Sequence, residues 1–243
     1  VCILMTTALV LASLVQTQRD IPTQVVPSVP TFVHTVPADA NAKDYQPATT
    51  QLHTVTVTLS KETATIETVT LFRNPNATAL MGTLRMPFFS HGFSPRATGE
   101  ITATWNKGPM TGGRRVNDAT LVMPRKTDAV EPTQGSVYEW PGAIPAKGTG
   151  TLRTSFQIPL AKVALGQTAR QFALHIPPMA APTEQLQVAI KFSPEIVFGV
   201  LNSQGPFGKF QTGPNGSFAK WDGKTATKEG YVLFRFYPNE VGG

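Results

Sequence analysis

Residues 52–59 read Leu52-His53-Thr54-Val55-Thr56-Val57-Thr58-Leu59, and His53, Val55, Val57 and Leu59 alternate there without a break with Thr54, Thr56 and Thr58. A period of two places the apolar set on one face of an extended strand and the hydroxyls on the other. Val and Thr are branched at Cβ and suit a pleated, half-buried surface. The run reads as a strand whose apolar face needs a second layer to cover it.

Outward from this run the pattern repeats. Ala64 to Arg73 continues in the same style, and the short polar connection Ser60 to Thr63 folds the two runs into a hairpin. Asn74, Pro75, Asn76 and Ala77 form a turn before a third strand over Thr78 to Met86. Further strands are expected over Gly99 to Trp105, Ala119 to Met123, Gly150 to Ile158, Arg170 to Ile176, Gln185 to Phe192 and Gly230 to Tyr237. In one of them Leu186, Val188, Ile190 and Phe192 oppose Gln187, Ala189 and Lys191; in another Leu152, Thr154, Phe156 and Ile158 oppose Arg153, Ser155 and Gln157. Such faces predict a mainly β chain, an antiparallel β-sandwich over residues 51–243 with a core about 10 Å thick. Two small β units divided near Lys126 to Thr133 fit the pattern equally well. No repeat of fixed period occurs, which speaks against propellers and solenoids.

The stretch from Thr54 to Pro87, with its Phe72-Arg73-Asn74-Pro75 turn and its third strand closed by Pro87, resembles the opening hairpins of several extracytoplasmic bacterial β-sandwich families. The resemblance covers a small part of the chain and implies no catalytic residue.

Composition agrees with a folded β protein. The 243 residues are 41% hydrophobic and 15% charged, and 21 Pro with 20 Gly interrupt the chain too often for long soluble helices. Cys2 is the single cysteine, so neither an intramolecular disulfide nor a thiolate metal cluster can form.

The first residues bear on location. Val1 to Val15 (VCILMTTALVLASLV) has no charge, and Gln16 to Asp20 then returns the chain to water. We expect residues 1–18 to be a single transmembrane helix, an uncleaved signal anchor rather than a cleaved signal peptide, because Gln and Arg stand where a peptidase wants small residues. The chain begins with Val and not Met, and a short upstream piece carrying the basic flank is expected. Thr6, Thr7 and Ser13 are then candidates for packing against neighbouring membrane helices. A lipoprotein role for Cys2 fits poorly, since apolar rather than polar residues follow it. Residues 19–50 hold Pro22, Pro27, Pro30, Pro37 and Pro47 and read as an extended Pro-rich linker. Phe32, Val33 and Val36 imply that this linker docks, either on the chain's own body or on a partner.

Motifs that carry chemistry are few in the chain. His34, His53, His91 and His175 lie in no nucleophile context, and no Gly-x-Ser-x-Gly elbow occurs. His53 shares a face with Val55 and Val57 and reads as a satisfied core or edge histidine. Neither a His-Glu-x-x-His motif, an acidic calcium loop nor a phosphate-binding glycine loop is found, and the 15 acidic residues are dispersed. No catalytic residue, metal ligand or cofactor site is predicted.

What remains is an aromatic and basic loop region among glycines: Phe207, Lys209, Phe210, Phe218, Lys220 and Trp221. Aromatics interleaved with lysine stack on sugars, insert at a headgroup interface or anchor a protein partner; the plain alternative is that they plug one end of the sandwich. Lys107 to Arg115 (KGPMTGGRR), ending in Arg114 and Arg115, adds a second basic projection. A net charge of +6 favours anionic partners, and the exporting span argues against nucleic acid. Asn76-Ala77-Thr78 and Asn215-Gly216-Ser217 match glycosylation sequons.

Together these features predict a non-enzymatic accessory subunit of a larger membrane assembly, with integral membrane proteins and the lipid bilayer as partners and the C-terminal domain in the periplasm or extracellular space. The second expectation is a membrane-anchored module that binds a glycan or another envelope ligand through Phe207 to Trp221. An anchored hydrolase with a site assembled only by folding is the third.

Overall fold

The structure, a computed structural model, describes residues 23–27, 29–35, 45–90, 98–111, 113–122, 134–160, 170–176, 183–194, 196–204, 211–212, 218–223 and 230–238. Among them the chain is β throughout, with sixteen strands and no helix. The first eight are β1 (Thr23–Pro27), β2 (Thr31–His34), β3 (Thr49–Leu59), β4 (Thr63–Arg73), β5 (Leu80–Ser90), β6 (Thr98–Trp105), β7 (Gly108–Pro109) and β8 (Arg114–Val122). The rest are β9 (Gln134–Ile144), β10 (Thr149–Pro159), β11 (Arg170–Ile176), β12 (Gln185–Phe192), β13 (Ile196–Gln204), β14 (Gln211–Thr212), β15 (Phe218–Gly223) and β16 (Gly230–Pro238). No helix among the described residues is long and apolar enough to cross a membrane, and the span expected at 1–18 lies outside them.

The strands form two eight-stranded sheets. The first runs β13-β16-β11-β1-β5-β9-β8, with β2 also on β5; the second runs β14-β15-β12-β3-β4-β10-β6-β7. One hydrophobic cluster joins them: Phe32, Leu84, Met86, Trp140, Ile144 and Phe172 from the first sheet meet Val55, Val57, Ile66, Leu152, Phe156 and Ile190 from the second. The alternation read along residues 52–59 is its origin, since His53, Val55, Val57 and Leu59 are each 0% exposed.

Two pairings depart from the antiparallel expectation. β3 lies parallel to β12, Val55 opposite Val188, and β1 lies parallel to β11, Thr23 opposite Phe172. Parallel neighbours need a long crossover, and in both cases at least half of the strands lie between the two. The Pro-rich segment contributes β1 and β2 to the first sheet, and Phe32 is buried in the chain's own core. Gly82 of β5 makes that docking possible: a Cβ there would collide with the Val33 carbonyl of β2.

Polypeptide crosses between the sheets at one end, and two asparagines bind the crossings together. Residues 74–79 carry β4 of the second sheet into β5 of the first, and 145–148 carry β9 of the first into β10 of the second. Asn74 is fully buried between them. Its Nδ2 donates to the carbonyls of Thr78 (2.8 Å), Pro145 (2.9 Å) and Ile144 (3.2 Å). Its Oδ1 accepts from the backbone N–H and from the Nδ2 of Asn76, both at 2.8 Å. Asn76 in turn pairs with the backbone of Gln46, just ahead of β3, donating to its carbonyl at 2.8 Å and accepting from its N–H at 2.9 Å. With its Nδ2 so engaged and the residue 8% exposed, Asn76 is poorly placed as a sugar acceptor. The nearby Trp105 ring lies over Gly150, where a Cβ would strike it, and its Nε1 donates to the Ala143 carbonyl at 3.3 Å.

Removing the Asn74 amide breaks five hydrogen bonds at once and leaves the buried Asn76 N–H without its Oδ1 acceptor, and a buried group left unmatched costs about 1–3 kcal/mol. Asn74→Ala is therefore expected to lose about 3 kcal/mol or more of unfolding free energy in a urea titration. A loss under about 1 kcal/mol would mean the clasp is dispensable.

Candidate functional site

The outer face of the second sheet carries the most regular polar surface among the described residues. Strand registers align its outward side chains in two rows across β3, β4, β10 and β6. One row is Thr56, Glu67, Ser155 and Thr102; the next is Thr54, Val69, Arg153 and Thr104. Neighbouring strands lie about 4.8 Å apart, so each row spaces its groups like rungs. The face forms an open groove of about 400 Å³, with Glu67 and Arg153 on diagonal positions. Glu67, Thr102 and Arg153 are exposed and the remaining threonines half-buried.

The rows follow from the sequence pattern. Each strand turns its β-branched or apolar residues inward and leaves hydroxyls and isolated charges outward. The hydroxyls both donate and accept, Glu67 accepts and Arg153 donates. Such a surface can hold a polyhydroxylated ligand by many shared hydrogen bonds. Glu67 stands opposite the hydroxyl residues Thr56 and Ser155 within it.

Behind this face lies His53. Its Nδ1 shares a 2.9 Å hydrogen bond with Thr70 Oγ1 of β4, while its buried Nε2 has no partner. It is thus a core histidine, as its face predicted, but only half satisfied. Burial pushes the imidazole down from 6.5 to about 3. Between those values an unfolded chain binds the proton and the folded one does not, so stability rises with pH. The contribution is complete above about 6.5 and lost as pH falls towards about 3, at up to about 1.4 kcal/mol per unit. Urea midpoints from pH 7 to pH 4 should show that slope in the wild type and a shallower one in His53→Leu; parallel slopes would place the cause elsewhere.

The other predicted residues are dispersed. His34 stacks on Tyr45 with centroids 6.4 Å apart, and His175 of β11 lies opposite Tyr231 of β16. Arg114 and Arg115 open β8, opposite Glu139 and Tyr138 of β9. The basic projection ahead of them is partly a tight hairpin: Asn106 and Lys107, at φ of 49° and 74°, turn β6 into β7. Phe218 and Trp221 belong to β15, paired with β12 opposite Lys191 and Val188, where a loop had been expected. Phe207, Lys209, Phe210, Thr6, Thr7, Ser13, His91 and Asn215 lie outside the described residues. No group of three metal-ligating side chains occurs among the described residues. The hydroxyl rows escaped sequence reading because outward threonines on one strand look like ordinary solvation; their alignment depends on four registers.

No family model and no curated protein matches the chain. Solved structures resemble it. A protein from Legionella pneumophila described as nutrient binding is 11% identical, with a TM-score of 0.51 over 86% of this chain and 70% of its own. An M1 zinc metallopeptidase from Deinococcus radiodurans is 11% identical, with a TM-score of 0.32 over 78% of this chain and 44% of its own. Yeast LTA4 hydrolase is 8% identical, with a TM-score of 0.37 over 80% of this chain and 29% of its own. The Legionella likeness is one of fold alone. This chain spans less than half of either of these two enzymes, and neither bears on its chemistry.

Proposed function

We propose that this chain is a non-enzymatic accessory subunit of a larger membrane assembly. A helix over residues 1–18 anchors it, and the two sheets form a β-sandwich that covers the extracytoplasmic face of its partners. The observation that carries this reading is the charge-free run Val1 to Val15, followed at once by polar chain and then by a β body. An uncharged run of that length is costly to keep in water and finds its natural solvent in hydrocarbon. Thr6, Thr7 and Ser13 supply small polar contacts to neighbouring helices.

The full chain should stay with membranes through a carbonate wash and migrate with other integral proteins after mild-detergent extraction. Release by carbonate, or migration as a free monomer, would count decisively against the proposal.

A second reading, an anchored module for a glycan or another envelope ligand, is favoured by the hydroxyl rows around Glu67 and Arg153. The fold-level likeness to a protein described as nutrient binding is consistent with it. On this reading Glu67→Gln combined with Arg153→Ala lowers retention on peptidoglycan sacculi at least about tenfold, the loss expected from about 1.4 kcal/mol. The alternative site predicts that loss for Phe210→Ala with Trp221→Ala. If neither pair changes retention, the module reading fails.

A further inference from the structure

Arg170 opens β11, opposite Phe236 of β16 and two residues before Phe172. Residues two apart on a strand share a face, and Phe172 is 0% exposed in the core between the sheets. The guanidinium therefore enters an apolar layer. Arg170 is only 7% exposed, and its buried Nε and Nη1 have no hydrogen-bond partner.

An uncompensated buried cation is costly, and a Met or Leu of similar volume would fill the same space without that cost. The cost is offset when an oxyanion accepts the N–H groups. Nε and Nη1 lie on different edges of the guanidinium, and Nη2 is common to both two-pronged edges; an anion can engage Nε with Nη2, or Nη1 with Nη2. A carboxylate fits either edge and cancels the single charge one for one. A phosphate dianion would leave surplus negative charge in the same poorly solvated place. The fully buried Phe172, on the same face of β11, favours a carboxylate borne on an apolar body.

We propose that Arg170 anchors a binding site for a small monocarboxylic acid with an apolar tail, at the start of β11. The site stands on the buried guanidinium and is independent of the anchored-subunit reading.

Thermal unfolding of the full chain in detergent tests it, with sodium hexanoate or acetate compared against sodium chloride at equal ionic strength. Hexanoate at about four times its Kd should raise the wild-type Tm by about 2–4 °C beyond chloride, with acetate giving less. Arg170→Lys should keep only part of the shift, because an ammonium offers no planar fork. Arg170→Met should show none and should melt above the ligand-free wild type. Should Arg170→Met not fold, the lysine variant decides: an undiminished shift there overturns the site. A wild-type response no greater than chloride's, or an equal response in Arg170→Met, also overturns it and leaves a partner's carboxylate as the remaining counter-charge.

Discussion

Backbone that leaves a sheet inside a protein must find new hydrogen-bond partners, and in this chain that requirement falls on Asn74. The carbonyls of Thr78, Ile144 and Pro145 meet at the β4–β5 and β9–β10 crossings. One amide serves all three and receives Asn76 in return, which ties in the approach to β3. Two residues before this small polar knot, Phe72 of the second sheet meets Phe32 of the first and Trp105. Hydrophobic burial supplies most of the driving force, but it has no direction; the amides say where each strand starts.

Strands with unbroken alternation could be read directly. The expected ranges for β11 and β12 coincide with the observed ones, and β3, β4, β10 and β16 differ only at their ends. Others carried weaker signals. Pro141 and Gly142 break the pattern of β9, and Ile196 to Leu201 is a nearly continuous apolar run without alternation. β1 and β2 lie among prolines, where composition suggests extended chain but cannot say that it pairs. Parallel neighbours escape any reading based on local turns, because nothing near Leu52 to Leu59 refers to Gln185 to Phe192. Asn74-Pro75-Asn76 was legible as a turn, but the side-chain bonds that make it structural involve Gln46 and residues 144–145, far away in sequence. The hydroxyl rows had the same obstacle, and Arg170 looked like one more strand-flanking cation.

The two faces of the second sheet divide its labour. Inward, Val55, Val57, Ile66 and Phe156 exclude water so thoroughly that His53 is held neutral. Outward, Glu67 and Arg153 stand exposed on diagonal positions among hydroxyl side chains. The same four strands thus bear a dry layer for cohesion and a wet, ordered layer for contact, and the period of two is what allows it. Changes on the outer rows leave the inner packing largely undisturbed, so recognition can vary without loss of the fold.

The parallel joins have a further consequence during synthesis. β3 leaves the ribosome early, yet its neighbour β12 is not made until residues 185–192 appear. Until then one flank of β3 exposes unpaired peptide groups, and β1 waits for β11 in the same way. A nascent chain of this kind has adhesive borders for most of its translation, a condition that invites chaperone holding and disfavours rapid folding from the N-terminus.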